Sequence, residues 1–333
     1  MKAKSRVVIN GFGRIGRLSF KELLDSDQID LVAINDLSDI NSLGHLLKYD
    51  SVHGRFTRTV EVLEDFILLD GKKIQVFQEA DPSKLPWESL QIDFVVECTG
   101  RFLTYELAQK HIDAGAKKVI LSAPAKDAIK TIVMGVNEHE IEPADQIISN
   151  ASCTTNCLAP MIKVLEESFG VEKGYISTIH AYTADQNIQD APHKDPRRAR
   201  AAALSIIPTT TGAATAVGKV IPSMQGKLDG IAFRVPVPDG SATDLTAILK
   251  QEVDMQMVLN AFKQAANSSL KGILRYSEDP IVSVDIIGDP SSCILDAPMT
   301  SVNGNLIKLV GWYDNEYGYA SRIADLVHYM ASF

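Results

Sequence analysis

The chain has 333 residues, of which 45% are hydrophobic and 23% are charged, and its formal net charge is −9 at pH 7. A chain of this length usually divides its core, so we expect two domains. The acidic balance argues against nucleic acid as the main partner, because nucleic-acid binding favours a basic face. No apolar stretch approaches the roughly 20 residues that span a bilayer, so we expect no membrane association and a cytoplasmic location.

The first predicted elements are a strand, a glycine-rich turn, a helix and a second strand. Residues 6–10 and 30–35 are apolar runs typical of buried strands. Between them Gly11, Gly13 and Gly16 form the pattern G-x-G-x-x-G, and a helical spacing of leucines follows. This order of elements predicts a βαβ unit.

The glycine turn predicts a dinucleotide site. Asp36 ends the second strand, twenty residues after Gly16. Glycines let the backbone approach a pyrophosphate, which lies over the helix N-terminus. A carboxylate at position 36 accepts hydrogen bonds from ribose hydroxyls and repels a 2′-phosphate, so NAD is favoured over NADP. The alternative is a plain βα turn with a surface aspartate.

The rest of the first half continues the alternation of strands and helices. Residues 93–99 and 118–122 are predicted strands, and residues 106–114 are a predicted helix. Such alternation indicates a Rossmann-type, doubly wound parallel sheet with helices on both faces. The runs at 59–62 and 73–76 predict an antiparallel insertion at the edge of this sheet.

The pattern changes near residue 150, where long strand-like runs replace the alternation. One helix is predicted at 255–266 and another at 325–330, and the segment 183–203 is a long polar loop of the kind that usually has a function. The second domain is therefore expected to be α+β with a mostly antiparallel sheet. Its predicted strands are residues 174–182, 230–237, 243–251, 282–287 and 306–312.

Cys153 and His180 are the candidate catalytic residues. Cys153 follows the strand-like pair Ile147 and Ile148 and precedes a helical pattern, so it is expected at a helix N-terminus, where the dipole favours a thiolate. His180 follows an apolar run and supplies a base with a pKa near neutrality. The alternative is a structural cysteine and a hydrogen-bonded histidine at a strand end.

A thiolate beside a bound NAD predicts a specific chemistry. The thiolate adds to an aldehyde, and the resulting thiohemiacetal is a good hydride donor. His180 removes the hydroxyl proton as hydride leaves, and the product is a thioester that can acylate phosphate. The four cysteines are too scattered for a disulfide framework, and no zinc-like spacing occurs, so no metal is expected.

Anion-binding residues follow in the second domain. Residues 209–214 offer hydroxyls and N–H groups before a helical pattern. Arg234 lies inside a predicted strand, where an arginine needs an anionic partner. Arg197, Arg198 and Arg200 lie in or near the polar loop. Each arginine alone fits a salt-bridged loop or a subunit contact equally well, but the set together indicates phosphate.

Five segments, residues 10–17, 149–157, 180–183, 208–214 and 312–316, closely resemble the phosphorylating glyceraldehyde-3-phosphate dehydrogenase family. The resemblance implies that Cys153 is the nucleophile and His180 the base. It implies that Thr183 and Arg234 hold the substrate's C3 phosphate. The attacking phosphate would be surrounded by Ser152, Thr154, Arg198, Thr211 and Gly212. The implied NAD contacts are Gly11, Phe12, Gly13, Arg14, Ile15, Asp36, Thr99, Ser122, Asn315 and Tyr319.

The resemblance also implies the reaction and the assembly. D-glyceraldehyde 3-phosphate, inorganic phosphate and NAD+ would give 1,3-bisphosphoglycerate and NADH, within glycolysis and gluconeogenesis, in a homotetramer. We expect an NAD-binding domain over residues 1–151, completed by a C-terminal helix at 317–333, and a catalytic domain over 152–316.

Three alternatives remain at this stage. The first is an erythrose-4-phosphate dehydrogenase, although such relatives tend to have glutamate in place of Asp36 and to lack the Thr-Gly-Ala-Ala segment at 211–214. The second is a thiol acyltransferase or hydrolase with a dinucleotide domain. The third is a binding role without catalysis.

Overall fold

The computed structural model describes residues 3–333, which form two compact units. The first unit contains the chain up to Ile132, Glu138–Ala151 and Ala320–Phe333, and the second contains Val133–Asn137 and Ser152–Tyr319. Two short segments therefore differ from the expected division, namely 133–137 and 317–319. Residues 133–137 pack with the second unit because Gly135 lies against Leu270 and the carbonyl of Val136 accepts a hydrogen bond from Lys163 Nζ at 3.4 Å.

The first unit begins with the predicted strand, helix and strand. Its elements, in chain order, are β1 (Ser5–Asn10), α1 (Arg14–Leu24), β2 (Ile29–Asn35), α2 (Ile40–Lys48), β3 (Tyr49–Asp50), β4 (Gly54–Arg55), β5 (Val60–Val62), β6 (Phe66–Leu69), β7 (Lys72–Phe77), β8 (Phe94–Glu97), α3 (Tyr105–Asp113), β9 (Lys118–Leu121), β10 (Lys130–Thr131) and β11 (Ile147–Ser149).

Nine of these strands form one sheet in the order β10-β11-β9-β8-β1-β2-β7-β6-β5. The pairings from β10 to β7 are all parallel, and only β5–β6 and β6–β7 are antiparallel. The prediction that residues 73–76 belong to an antiparallel insertion is therefore only half correct, because β7 has one parallel and one antiparallel neighbour. β7 continues the parallel sheet beside β2, with Ala33 opposite Gln75, and only its far edge pairs antiparallel with β6.

The central residues of β1, β8 and β9 are apolar because helices cover the sheet. Val8, Val95 and Val119 have no exposed surface, and Trp87 is fully buried in the same cluster. Helix α2 was not predicted. It begins after Asp39, whose side chain accepts a hydrogen bond from the Ser42 N–H at 3.0 Å, which is ordinary N-capping.

The second unit places three helices against an eight-stranded sheet. Its elements are α4 (Cys153–Phe169), β12 (Val171–Ala181), β13 (Ile207–Thr210), α5 (Ala213–Val220), β14 (Leu228–Val235), β15 (Ser241–Leu249), α6 (Met255–Asn267), β16 (Leu274–Ser277), β17 (Cys293–Asp296), β18 (Ser301–Asn303) and β19 (Leu306–Tyr313). The last helix, α7 (Tyr317–Ala331), begins in this unit and ends in the first.

The strand order in the second sheet is β13-β14-β12-β15-β19-β17-β16, with β18 on β19. Only β12–β14 and β16–β17 are parallel, so the prediction of a mostly antiparallel sheet is confirmed. No helix within residues 3–333 combines the length and the apolar character needed to cross a membrane.

One predicted strand of the second unit is wrong. Residues 282–287 contain a short 3-10 helix, Ser283–Ile286, which begins where Asp285 accepts a hydrogen bond from the Val282 N–H at 2.7 Å. Val282 and Val284 are exposed, so their strand-like alternation does not mark a buried face. The β16 and β17 strands, which the sequence did not single out, occupy this edge of the sheet instead.

Candidate active site

The glycine turn of the first unit forms one wall of a cleft. A Cβ on Gly16 would lie 2.0 Å from the carbonyl oxygen of Gly11, and Gly11 itself has a φ of +91°. Those two glycines are required by the turn. A Cβ on Gly13 would meet nothing within 4 Å, and α1 begins after it without a side-chain cap. The backbone N–H groups of this helix start are therefore accessible to an anionic ligand.

The cleft has a volume of about 280 Å³. Four of the predicted cofactor residues line it, namely Gly11, Gly13, Asp36 and Thr99. Asp36 Oδ2 accepts a hydrogen bond from the Phe12 N–H at 2.7 Å, and Oδ1 accepts one from the Ser38 N–H at 2.9 Å. The sequence did not single out several other lining residues, which are Asn10, Asn35, Glu79, Arg101 and Phe102.

The other predicted cofactor residues are distributed around the cleft and in the second unit. The Phe12 ring packs edge-on against Phe20, with ring centroids 5.4 Å apart, so only its backbone faces Asp36. Arg14 forms an ion pair with Asp50 at 2.7 Å. Neither Phe12 nor Arg14 belongs to the cleft lining, and three further predicted residues also lie outside it. Ile15 lies in α1, Ser122 follows β9, and Tyr319 is buried in the second unit.

A buried polar network centred on Glu97 adjoins the lining of this cleft. Glu97, at the end of β8, is fully buried, and its Oε1 accepts hydrogen bonds from the N–H of Thr99, at 2.7 Å, and from the Thr99 hydroxyl. Asn10 Nδ2 donates to Oε2. Trp87 Nε1 donates to His111 Nδ1 at 3.0 Å, so the ring proton of His111 is on Nε2, which donates to Glu97 Oε2 at 3.3 Å.

The same network continues across the parallel strands. Asn10 Oδ1 accepts a hydrogen bond from Asn35 Nδ2 at 2.6 Å. Asn35 then pairs with the backbone of Glu79, donating to its carbonyl and accepting from its N–H, each at 2.9 Å. The buried carboxylate of Glu97 is thereby linked, through Asn10 and Asn35, to Glu79, which lines the cleft.

The second unit brings Cys153 and His180 together. Helix α4 begins at Cys153, and Ser152 caps it by accepting a hydrogen bond from the Thr155 N–H at 3.1 Å. His180 is the penultimate residue of β12, and its Nε2 lies 3.4 Å from Cys153 Sγ. His180 Nδ1 lies 2.7 Å from the carbonyl oxygen of Ala181 and donates to it. This leaves the lone pair of Nε2 facing the sulfur.

Burial determines the protonation of this pair. It raises the pKa of the Cys153 thiol to about 11, although the charge of Arg234 and hydrogen bonds at the start of the helix act to lower it. Burial, followed by the charge of Arg234, lowers the pKa of His180 to about 3. The expected thiolate and the expected near-neutral base are therefore wrong for this structure. The pair is a neutral thiol and a neutral imidazole, because removal from water outweighs the helix N-terminus.

Asn315 and Tyr313 complete the surroundings of the pair. Ser241 Oγ donates to Asn315 Oδ1 at 2.6 Å and accepts a hydrogen bond from the Ala181 N–H at 3.1 Å. The sequence did not single out Tyr313, whose hydroxyl lies 2.9 Å from Thr154 Oγ1 and whose ring packs edge-on against His180 at 6.1 Å. Its position within the segment 312–316 was the available signal.

The register of the sheet places Arg234 beside the Cys153–His180 pair. In the parallel pairing of β12 and β14, Arg234 lies opposite His180. Its Nη1 donates to Thr183 Oγ1 at 2.8 Å and to the Ala181 carbonyl oxygen at 3.1 Å. Its Nε is buried and has no hydrogen-bond partner in the described part of the chain. An unsatisfied cationic donor of this kind indicates an anionic ligand.

Arg198 extends the cationic cluster. Its Nε donates to Thr209 Oγ1 at 3.0 Å, and its Nη1 forms an ion pair with Asp185 Oδ2 at 2.5 Å. Asp185 also accepts a hydrogen bond from the Thr183 hydroxyl, and Thr209 donates to Asp195 Oδ2 at 2.9 Å. The structure thus connects Thr183, Arg198 and Arg234 in one network, with two aspartates that the sequence did not single out.

Three other predicted anion residues have distinct positions. Thr211 Oγ1 accepts a hydrogen bond from the Ala213 N–H at 3.2 Å, and Gly212 precedes α5 with open space where a Cβ would be. Arg200 instead forms an exposed ion pair with Asp190 at 3.0 Å, as expected for a salt-bridged loop.

Comparisons with known proteins agree over almost the whole chain. Residues 5–105 match the family described as glyceraldehyde 3-phosphate dehydrogenase, NAD binding domain, and residues 152–315 match its C-terminal domain. Glyceraldehyde-3-phosphate dehydrogenase 2 of Streptomyces avermitilis is 56% identical over 330 residues, covering 98% of each chain. The glyceraldehyde-3-phosphate dehydrogenases of Streptomyces coelicolor and Geobacillus stearothermophilus are also 56% identical, with 98% of each chain covered. The chain therefore belongs to the glyceraldehyde-3-phosphate dehydrogenase family.

Proposed function

We propose that this protein oxidises D-glyceraldehyde 3-phosphate with NAD+ and inorganic phosphate, giving 1,3-bisphosphoglycerate and NADH in glycolysis and gluconeogenesis. Membership of the family supports the activity and the cofactor. The observation that carries the proposal is the 3.4 Å approach of Cys153 Sγ to His180 Nε2. Arg234 adjoins this pair, and its buried Nε has no hydrogen-bond partner among the described residues.

The first unit would hold the cofactor. Its uncapped helix start suits a pyrophosphate, and the Asp36 carboxylate suits ribose hydroxyls and disfavours a 2′-phosphate. The proposed cofactor residues are Gly11, Phe12, Gly13, Arg14, Ile15, Asp36, Thr99, Ser122, Asn315 and Tyr319. When bound, NAD+ supplies the hydride acceptor for oxidation of the Cys153 adduct to a thioester.

Cys153 and His180 would supply the remaining chemistry. The Cys153 sulfur attacks the aldehyde carbon while His180 Nε2 accepts the thiol proton and returns it to the new hydroxyl oxygen. In the oxidation His180 Nε2 accepts that hydroxyl proton. Inorganic phosphate then attacks the thioester carbon, the bond from carbon to sulfur breaks, and His180 returns a proton to the sulfur. The Ala181 carbonyl holds the ring in this orientation throughout and stabilises the imidazolium.

Two anion subsites are proposed in the second unit. Thr183 and Arg234 would hold the C3 phosphate, supported by the buried Arg234 Nε that has no partner among the described residues. The attacking phosphate would contact Ser152, Thr154, Arg198, Thr211 and Gly212. The Thr154 hydroxyl already pairs with Tyr313, so its backbone N–H at the start of α4 is the more accessible donor.

We also propose a cytoplasmic homotetramer with no main partner among nucleic acids and no membrane association. The alternation along β12 leaves Tyr175 and Ile179 exposed on the sheet, Ile231 is exposed on β14, and Leu204 is 86% exposed in the adjoining loop. Exposed apolar side chains in this number fit a contact between copies. The four free cysteines fit a reducing compartment, and the net charge of −9 disfavours nucleic acid. Sedimentation velocity tests the tetramer.

The activity is tested by following NADH absorbance in a matrix of substrates. Glyceraldehyde 3-phosphate and erythrose 4-phosphate are each supplied with NAD+ or NADP+, with and without inorganic phosphate. We expect phosphate-dependent NADH formation from glyceraldehyde 3-phosphate with NAD+. Preference for erythrose 4-phosphate would establish the sister activity, and turnover without phosphate would exclude the acyl-phosphate step.

A further inference from the structure

We propose that Asp185 is a resident competitor of phosphate, whose carboxylate occupies hydrogen-bond donors that an incoming phosphate requires. Asp185 thereby sets the affinity of the second unit for its anionic substrates. The inference rests on the proposed function, because it takes Thr183 and Arg198 as phosphate-binding residues.

The Thr183 hydroxyl shows the competition most directly. A hydroxyl has one hydrogen to donate. Arg234 Nη1 donates to Thr183 Oγ1 at 2.8 Å, so that oxygen acts as the acceptor in this contact. The hydroxyl hydrogen is directed to Asp185 Oδ1. A phosphate that takes a hydrogen bond from Thr183 must first break the bond from Thr183 to Asp185.

Arg198 is engaged in the same way. Its Nη1 lies 2.5 Å from Asp185 Oδ2, which is a short, charge-assisted contact. The Asp185 side chain is 50% exposed, whereas the Arg198 side chain is 18% exposed. The carboxylate can therefore turn into water when it is displaced, while the guanidinium stays in place for the new anion.

The charge of Asp185 strengthens the competition. Partial burial acts to raise the pKa of Asp185, but the hydrogen bond from Thr183 and the charges of Arg234 and Arg198 outweigh it and hold the pKa below its ordinary value. The carboxylate is thus ionised at neutral pH and repels a phosphate that approaches the same arginines. Asp185 does not engage Arg234 Nε, which is buried and has no hydrogen-bond partner among the described residues.

The neighbouring carboxylate, Asp195, differs in its contacts. Asp195 Oδ2 accepts a hydrogen bond from Thr209 Oγ1 at 2.9 Å and lies 3.9 Å from Arg198 Nε. Asp195 therefore acts on Arg198 mainly through Thr209, whose hydroxyl oxygen accepts the hydrogen bond from Arg198 Nε. Of these two aspartates, Asp185 is the one whose contacts include both Thr183 and the Nη1 of Arg198.

Asp185→Asn is the direct test, because asparagine has the same shape without the charge. We expect the KM for inorganic phosphate and for glyceraldehyde 3-phosphate to fall roughly two- to fivefold at low ionic strength, with a smaller change in kcat. Asp185→Glu retains the charge and should keep the KM values of the wild type or raise them. An unchanged or higher KM in Asp185→Asn would overturn the proposal and make Asp185 a residue that orients Arg198.

Asp190→Asn is the matched control, because it removes one carboxylate from an exposed ion pair with Arg200 in the same loop. Its KM for phosphate should be unchanged, and a fall equal to that of Asp185→Asn would mean that loop charge alone is responsible. Calorimetric titration of the proteins with inorganic phosphate measures affinity without turnover. Tighter binding by Asp185→Asn supports the proposal, and equal or weaker binding contradicts it. Absence of phosphate-dependent NADH formation in the wild type would instead refute the proposed function.

Discussion

Glu97 in the first unit and Asp185 in the second are both carboxylates held by several hydrogen-bond donors, but their environments are opposite. Glu97 is fully buried, and its donors are a backbone N–H, a hydroxyl, an amide and an imidazole. Asp185 is half-exposed and is held by the Thr183 hydroxyl and the Arg198 guanidinium. A buried carboxylate with uncharged donors fixes the shape around it, whereas a half-exposed one beside a cation can be exchanged for another anion.

Cys153 and His180 are intermediate between these two cases. Both lie close to the charge of Arg234, yet burial keeps both uncharged. The proposed reaction therefore begins with proton transfer from sulfur to imidazole. The catalytic pair resembles Glu97 in being buried, and it resembles Asp185 in lying close to an arginine.

Cys153→Ser should give the largest loss of activity. It should leave the first unit, and so NAD binding, unaffected. We expect NADH formation to fall by at least ~10³-fold, because a serine hydroxyl is a much weaker nucleophile. NAD binding measured by calorimetry should be retained, because the lining of the cleft belongs to the first unit. Cys157→Ser, one helical turn further on, is the control and should remain active. Normal turnover by Cys153→Ser would refute the nucleophile assignment.

Glu97→Gln tests whether the hydrogen bonds around Glu97 maintain the shape of the cleft. Because all four partners of Glu97 donate, the amide NH₂ group of glutamine must face two donors. Losing such buried pairs costs about 1–3 kcal/mol each, so we expect the KM for NAD to rise roughly 30-fold, with a smaller change in kcat and a lower Tm. Glu106→Gln, at an exposed position of α3, is the control. An unchanged KM would show that the network does not shape the cleft.

Arg234→Gln tests how far the catalytic pair depends on a cation. Arg234 lowers the pKa of Cys153, so its removal raises that pKa further and reduces the thiolate fraction at any given pH. We expect alkylation by iodoacetamide to slow about tenfold. In the wild type the rate should still be rising at about pH 9, because the pKa of Cys153 is about 11. A plateau below neutrality would contradict the neutral pair. Arg275→Gln is the control, because it removes a half-exposed arginine that pairs with Asp289 in another part of the second unit.

Asp36→Ala should produce the smallest of these changes, since Asp36 is only partly buried. Loss of the carboxylate removes repulsion of a 2′-phosphate, so we expect the ratio of kcat/KM for NADP to that for NAD to rise roughly fivefold. Asp27→Ala, exposed at the other end of β2, is the control. An unchanged ratio would place the ribose contact elsewhere.

Local patterns were sufficient for much of the fold. The glycine turn and the start of α4 depend on neighbouring residues, so spacing predicts them well. The alternation of Val282 and Val284 predicts a strand over residues 282–287, but both side chains are exposed and the segment forms a 3-10 helix. The parallel pairing of β7 with β2 depends on residues some forty positions apart, such as Ala33 and Gln75, and no local pattern encodes it.

The sequence alone determined the order of the elements, the candidate nucleophile and base, and the resemblance to a family, because periodicity, turn chemistry and motifs are short-range properties. Only the tertiary structure decided the charge state of Cys153 and His180, the network around Glu97 and the engagement of Arg198 by Asp185. Those properties depend on which donors and acceptors meet and on how much water is removed from them. Residues as distant in sequence as Asn10 and Glu97, or Thr154 and Tyr313, form these contacts only when the chain has folded.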